Sequence, residues 1–134
     1  MTDDIKFVNE NEEYLLTQIL DKVITIERAQ EILTHIATEC SNLHCNKVMI
    51  DERTVERREV PSHEIMELSQ SMKKMGLNKI YIAFWCQPHL INKDSNLLSS
   101  FTYNTEYLIK HFSDKTEALD WLDNQPTLAK TDHL

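Results

Sequence analysis

Cys86 and His89 stand three residues apart just after an apolar run, and Asp51 ends an earlier run, KVMID. A thiol, an imidazole and a carboxylate are the types from which a nucleophile, its base and an orienting acid are assembled. That chemistry requires imidazole within hydrogen-bond reach of sulfur and donors for an oxyanion. Pro88 separates Cys86 from His89, and nothing in the sequence marks such donors. A packed thiol at a strand end and a solvated histidine are therefore preferred, and a thiol-dependent enzyme using Cys86 and His89 ranks third among the readings. His35, Cys40, His44 and Cys45 place four soft ligands within eleven residues. On a helix Cys40 and His44 share a face while Cys45 points elsewhere, and no paired CxxC supports them, so neither a metal nor another cofactor is expected. The chain holds one glycine, Gly76, which excludes the glycine-rich phosphate cradles of P-loop and dinucleotide-binding proteins.

Other residues suit binding better than catalysis. Phe84, Trp85, Phe101 and Tyr103 fall on elements that surround the same strand ends, with Met66, Met72 and Met75 on a nearby helix. Core filling accounts for the methionines first; a pocket for a small apolar molecule is the alternative. Arg53, Arg57 and Arg58 alternate with Glu52, Glu56 and Glu59 in a mixed-sign run that reads first as a solvated loop, with a paired arginine gripping a carboxylate or phosphate as the lesser alternative.

The elements that must position these residues follow from periodicity. Ile5 to Val8 and Tyr14 to Val23 read as an N-terminal hairpin across the polar run Asn9 to Glu13. After Thr25, an N-cap, the positions Ile26, Ala29, Leu33, Ile36, Cys40 and Leu43 form one stripe of a long helix. Lys47 to Asp51 is a short buried strand. A second helix starts near Ser62, turns Ile65, Leu68, Met72 and Met75 inward, and ends at Gly76 in a left-handed turn. Lys79 to Cys86, KIYIAFWC, lacks polar alternation and belongs mid-sheet. A third helix is expected from near Asp94 through Phe101, then a strand from Tyr107 to Phe112. Asp114 with Glu117 three residues later starts a last helix, which Pro126 ends. Strands alternating with helices imply an α/β domain with a mixed, largely parallel sheet and about four helices, spanning residues 1–126 with a tail at 127–134. In such sheets ligands gather beyond the carboxyl ends of the strands, here near Asp51, Ser62, Cys86 to His89 and Ser113.

Charge narrows the partners. The chain of 134 residues carries a net charge of -8, with residues 1 to 20 at -4 and residues 113 to 134 at -3. No basic stripe with interleaved aromatics occurs, so nucleic acid and anionic membrane surfaces are disfavoured. The start MTDDIKFVNENEE is acidic where an export signal needs basic and apolar stretches, no apolar run reaches a membrane span, and the cysteines number three. A cytoplasmic protein with reduced thiols is expected.

KVMID, the strand KIYIAFWC after Gly76, and above all FSDKTEALDWL (Phe112 to Leu122) make the chain resemble the SpoIIAA-like proteins of the STAS superfamily. The resemblance covers about residues 5 to 123 and implies a STAS-like fold with a non-enzymatic binding role. The partner is then a protein or a second copy of the chain as a homodimer, and the alternative is a carrier or sensor of a small apolar molecule. Regulatory members of that superfamily are phosphorylated on a serine in an Asp-Ser-Ser-Gly turn. The matching Val60-Pro61-Ser62-His63-Glu64 keeps the serine and lacks the rest, so Ser62 is read as a helix cap first and as a phosphorylation site second. The residues singled out for binding are Asp51, Ser62, Trp85, Cys86, His89 and Phe101.

Overall fold

In the computed structural model, the described residues are 5–11, 14–59, 62–76, 80–91 and 109–126. Strands β1 (Ile5–Asn11) and β2 (Tyr14–Ile19) pair as the expected antiparallel hairpin, with a register shift between Val8 and Asn11. Strand β4 (Lys47–Asp51) lies parallel to β2, β6 (Tyr81–Trp85) parallel to β4, and β7 (Ile109–Phe112) parallel to β6. The result is a five-stranded sheet in the order β1-β2-β4-β6-β7, mixed and largely parallel. The central position of β6 explains its unbroken apolar sequence, because side chains on both faces are covered.

Alternation along the strands divides the core into two layers. Leu15, Ile19, Val48, Ile50, Ile82, Phe84 and Ile109 face helices α1 (Ile26–Leu43) and α2 (Ser62–Lys74), which contribute Ile32, Leu33, Ile36, Cys40, Leu68 and Met72. Tyr14, Leu16, Met49, Ala83 and Phe112 face the other way, towards Ala118 and Leu122 of helix α3 (Lys115–Asp123). The caps are those the sequence indicated. Thr25 accepts from the Arg28 amide at 3.3 Å and Asp114 from the Glu117 amide at 2.9 Å. Gly76 takes φ +82°, a conformation that costs other residues a Cβ clash.

Several expectations are corrected. The strand read as Tyr14 to Val23 stops at Ile19, and Val23–Thr25 forms a separate strand, β3. It pairs in parallel with β5 (Arg57–Glu59) as a two-stranded sheet. The break is local: the Lys22 carbonyl accepts from the Glu56 and Arg57 amides, and Asp21 pairs with Arg28, so the chain leaves the main sheet there. Leu43 is exposed and Ile32 takes a core place, because α1 ends at Leu43 and His44 reverses the chain in a left-handed cap. The run from Glu52 to Glu59 is a solvated loop only in part: Arg53, Thr54, Glu56, Arg57 and Glu59 are exposed, but the rest is anchored. Val55 is fully buried, Glu52 is nearly so, and the Thr54 hydroxyl donates to the Ile19 carbonyl at 2.9 Å. One apolar residue within a charged run is enough to pin it when its backbone also finds partners. Three α-helices and a 3-10 turn, Pro88–Leu90, are present among the described residues rather than about four helices. The helix expected from Asp94 through Phe101, the start of the strand from Tyr107, and the tail 127–134 lie outside the described residues.

One buried group lacks a hydrogen bond. Thr17 on β2 is fully buried on the α1 face, and its hydroxyl has no partner among the described residues. A buried hydroxyl without a partner costs its desolvation. Thr17→Val keeps the shape and removes the polar atom, so it is expected to leave stability unchanged or raise it by about 1 kcal/mol, read from urea unfolding. A loss above about 1 kcal/mol would show that the hydroxyl is satisfied in solution.

Candidate functional site at the carboxyl edge of the sheet

Asp51, Trp85 and Phe112 are neighbours in register across β4, β6 and β7, at the carboxyl ends of all three strands. Their side chains share the α3 face. Asp51 is buried, and Arg53 closes over it: Nε donates to one carboxylate oxygen at 3.0 Å and Nη2 to the other at 3.0 Å. This fork-to-fork pairing fixes the plane of the guanidinium. It lies 3.7 Å over the half-buried Trp85 ring while the Arg53 side chain stays 55% exposed. Gln87 holds the loop below by donating to the Arg53 and Val55 carbonyls, each at 2.9 Å. Lys115, the first residue of α3, brings its ammonium to 5.6 Å from the same Trp85 ring, and Lys110 stands 5.5 Å from the Phe112 ring. Phe112 in turn meets Trp121 at 5.9 Å, and Trp121 meets Tyr81 edge-on at 6.2 Å. An aromatic surface rimmed by three cations therefore covers this end of the α3 face.

The next residue, Glu52, points to the opposite side of the sheet. Arg58 donates to its carboxylate at 2.6 Å from Nη2 and to the Leu90 carbonyl at 3.2 Å from Nη1. The guanidinium also approaches the Phe84 ring, which stacks on the His111 imidazole at 4.6 Å and 9°. Burial pushes the Glu52 carboxyl up, against the pull of Arg58. Burial also works against the Arg58 charge, but Glu52 and the Cys86 thiol outweigh it and raise its pKa. The Cys86 thiol is pushed up by burial more than Arg58 lowers it. His111 is driven down to about 3, by burial first and by Arg58 second.

The residues singled out from sequence thus separate. Asp51 and Trp85 meet on the α3 face through Arg53. Cys86 lies on the buried face beside Arg58, a protonated thiol with no base supplied by His89, whose Nε2 is 2.6 Å from the Glu56 carbonyl. Asp51 is thus held by Arg53 on the face opposite to Cys86. Ser62 is the first residue of α2, with its side chain outside what is described, and Phe101 lies outside the described residues altogether. Sequence reasoning placed Arg53, Arg58 and Glu52 in a solvated loop first, and it missed His111 and Lys115. A usable signal existed: consecutive acids at a strand end must face opposite sides of the sheet, and each needs its own cation.

The cysteine and histidine run of α1 disperses likewise. Cys40 sits in the core with its thiol pushed up to about 12 by burial, while the Cys45 thiol donates to the Lys47 carbonyl at 3.1 Å. Among the described residues no group of three or more His, Cys, Asp or Glu could hold a metal ion. Met72 fills the core, and Met75 lines a shallow open groove with Thr34, Ala37, Thr38, Ser41 and Asn42. No helix among the described residues is long and apolar enough to cross a membrane.

The half-buried, desolvated His111 imidazole makes stability depend on pH. Folded His111 stays neutral down to about 3, whereas an unfolded histidine takes its proton near 6.5. Between these values the unfolded chain binds the extra proton, so stability contributed by His111 is present above 6.5 and falls as pH drops towards 3. Glu52, raised in the fold, has the opposite sign. Urea unfolding across this range is expected to show a shallower acid loss in His111→Phe than in the parent; identical profiles would place the acid sensitivity elsewhere.

No protein-family model and no curated protein matches the chain. A solved structure does. It is described as an uncharacterised protein of the DUF3478 family with a SpoIIAA-like fold, from Shewanella loihica PV-4. The similarity covers 88% of this chain and 91% of that one, with a TM-score of 0.55 and 20% identity. Likeness at this level concerns architecture, and it agrees with the hairpin, the parallel strands and the helices built above: the chain is a mixed α/β domain with a SpoIIAA-like fold.

Proposed function

We propose that this domain is a non-enzymatic binding module that receives a protein partner on the carboxyl edge of its sheet, over Trp85 and Arg53. The observation that carries the reading is the Arg53 guanidinium 3.7 Å over Trp85, locked by Asp51 and still 55% exposed. Tryptophan and arginine dominate the energetics of protein interfaces, and side chains already held in place lose less entropy on binding. The thiol of Cys86 lacks the activation that a catalytic nucleophile requires, which favours binding over chemistry here.

Selection from a displayed library of random peptides tests it. Enriched peptides are expected to quench tryptophan fluorescence and to bind Trp85→Ala about tenfold or more weakly, the scale of an interface hot spot. Peptides that bind the parent and Trp85→Ala equally, or no enrichment at all, would overturn the reading.

A further inference from the structure

We infer that the segment received at this edge is acidic, a stretch of protein bearing carboxylates that bridge Arg53 and Lys115 above the Trp85 ring. The inference rests on the binding-module reading and adds the chemistry of the partner. Arg53 spends Nε and Nη2 on Asp51, but its Nη1 makes no hydrogen bond among the described residues. No carboxylate among the described residues lies within ion-pair distance of the Lys115 or Lys110 ammonium. Three cationic groups thus stand beside one aromatic surface with donors to spare, two of them against the same indole ring.

That concentration is unusual for this chain, whose net charge is -8. Elsewhere its arginines are spent internally: Arg28 on Asp21 and Glu31, Arg57 on Glu59, Arg58 on Glu52. The overall negative field repels a long polyanion such as nucleic acid at distance, so a short carboxylate segment fits better than a phosphate backbone. Carboxylate and guanidinium match in plane and spacing, and the ring beneath gives apolar contact to the stem of a glutamate. Asp51 keeps the fork of Arg53 fixed, so the donor is presented without reordering when the ligand arrives.

The test uses the full chain and three labelled ten-residue peptides of one pattern, rich in glutamate, glutamine or lysine. The glutamate peptide is expected to bind about tenfold or more tightly than the glutamine peptide, and to weaken as salt rises from 50 mM to 500 mM. Lys110→Glu, at the surface, and Lys115→Glu, at the half-buried first position of α3, should each cost the glutamate peptide about threefold or more without lowering the urea midpoint. Glutamine and glutamate peptides that bind equally, both lost in Trp85→Ala, would overturn the acidic partner and leave the binding edge standing. Binding of the glutamate peptide unaltered in Trp85→Ala and Lys115→Glu would overturn both. Tighter binding of a ten-nucleotide single-stranded DNA than of the glutamate peptide would assign the surface to phosphates and overturn the inference. Loss of peptide binding when the chain dimerises, followed by concentration-dependent mass, would assign the surface to a second copy and overturn it too.

Discussion

Replacing Arg58 with alanine is expected to cost about 3–5 kcal/mol of stability, because it leaves Glu52 buried without its cation. Glu52 is 5% exposed and its carboxylate meets Arg58 at 2.6 Å. Arg58 also donates to the Leu90 carbonyl at 3.2 Å, so its removal takes that hydrogen bond from the 3-10 turn. The loss should be insensitive to salt, since a buried pair is little screened, and should appear as a lower urea midpoint. The double change Glu52→Leu with Arg58→Met removes both charges and keeps apolar volume. It is expected to recover most of the loss or exceed the parent, as buried pairs exchanged for apolar groups often do. A cost below about 1 kcal/mol for Arg58→Ala would mean that water reaches Glu52 and that the pair is effectively a surface one. Arg58 matters beyond stability because it ties β5 to the turn at Pro88–Leu90. Gln87, which caps that turn, holds the Arg53 loop in place.

This buried pair also shows how far the sequence could be read. The helices and strands were legible because each buries one face or two, and the period of that burial is written in Ile36, Cys40, Leu68 and Ile82. Thr25 and Asp114 declared their helix starts through the side-chain oxygens a cap requires. Asp51 and Trp85 were legible as neighbours at the carboxyl edge from their place at strand ends alone. The charged run after Asp51 was not, because composition cannot tell solvated ions from paired ones. What decides is whether Val55 is drawn into the core, which fixes its neighbours' exposure. The meeting of Arg53 with Lys115 escaped notice for a related reason. They come from different elements, and the Trp85 ring brings them together.

Phe112→Ala is expected to match the Arg58 change in size, at about 3–5 kcal/mol, through loss of packing rather than of charge. Phe112 is 8% exposed and sits between two partners on the α3 face, Trp85 by strand register and Trp121 by ring contact at 5.9 Å. Few groups cover this face among the described residues. Helix α3 contributes Ala118 and Leu122 to its core, with Leu119 and Trp121 packed beside them. A cavity under so short a helix has little neighbouring mass to fill it, so the site collapses poorly and the full cost should be felt. Phe112→Leu retains much of the volume and is expected to recover more than half of the loss. Trp85→Ala gives the contrast: its ring is half-exposed, and truncation should cost less stability than Phe112→Ala while removing more peptide binding. If Phe112→Ala were the milder of the two in urea, α3 would be held chiefly by its Asp114 cap and by Leu122. The Lys115 ammonium would then keep its place over Trp85 without the aromatic layer beneath, and the binding surface would have to be understood as a property of the loop and cap rather than of the sheet.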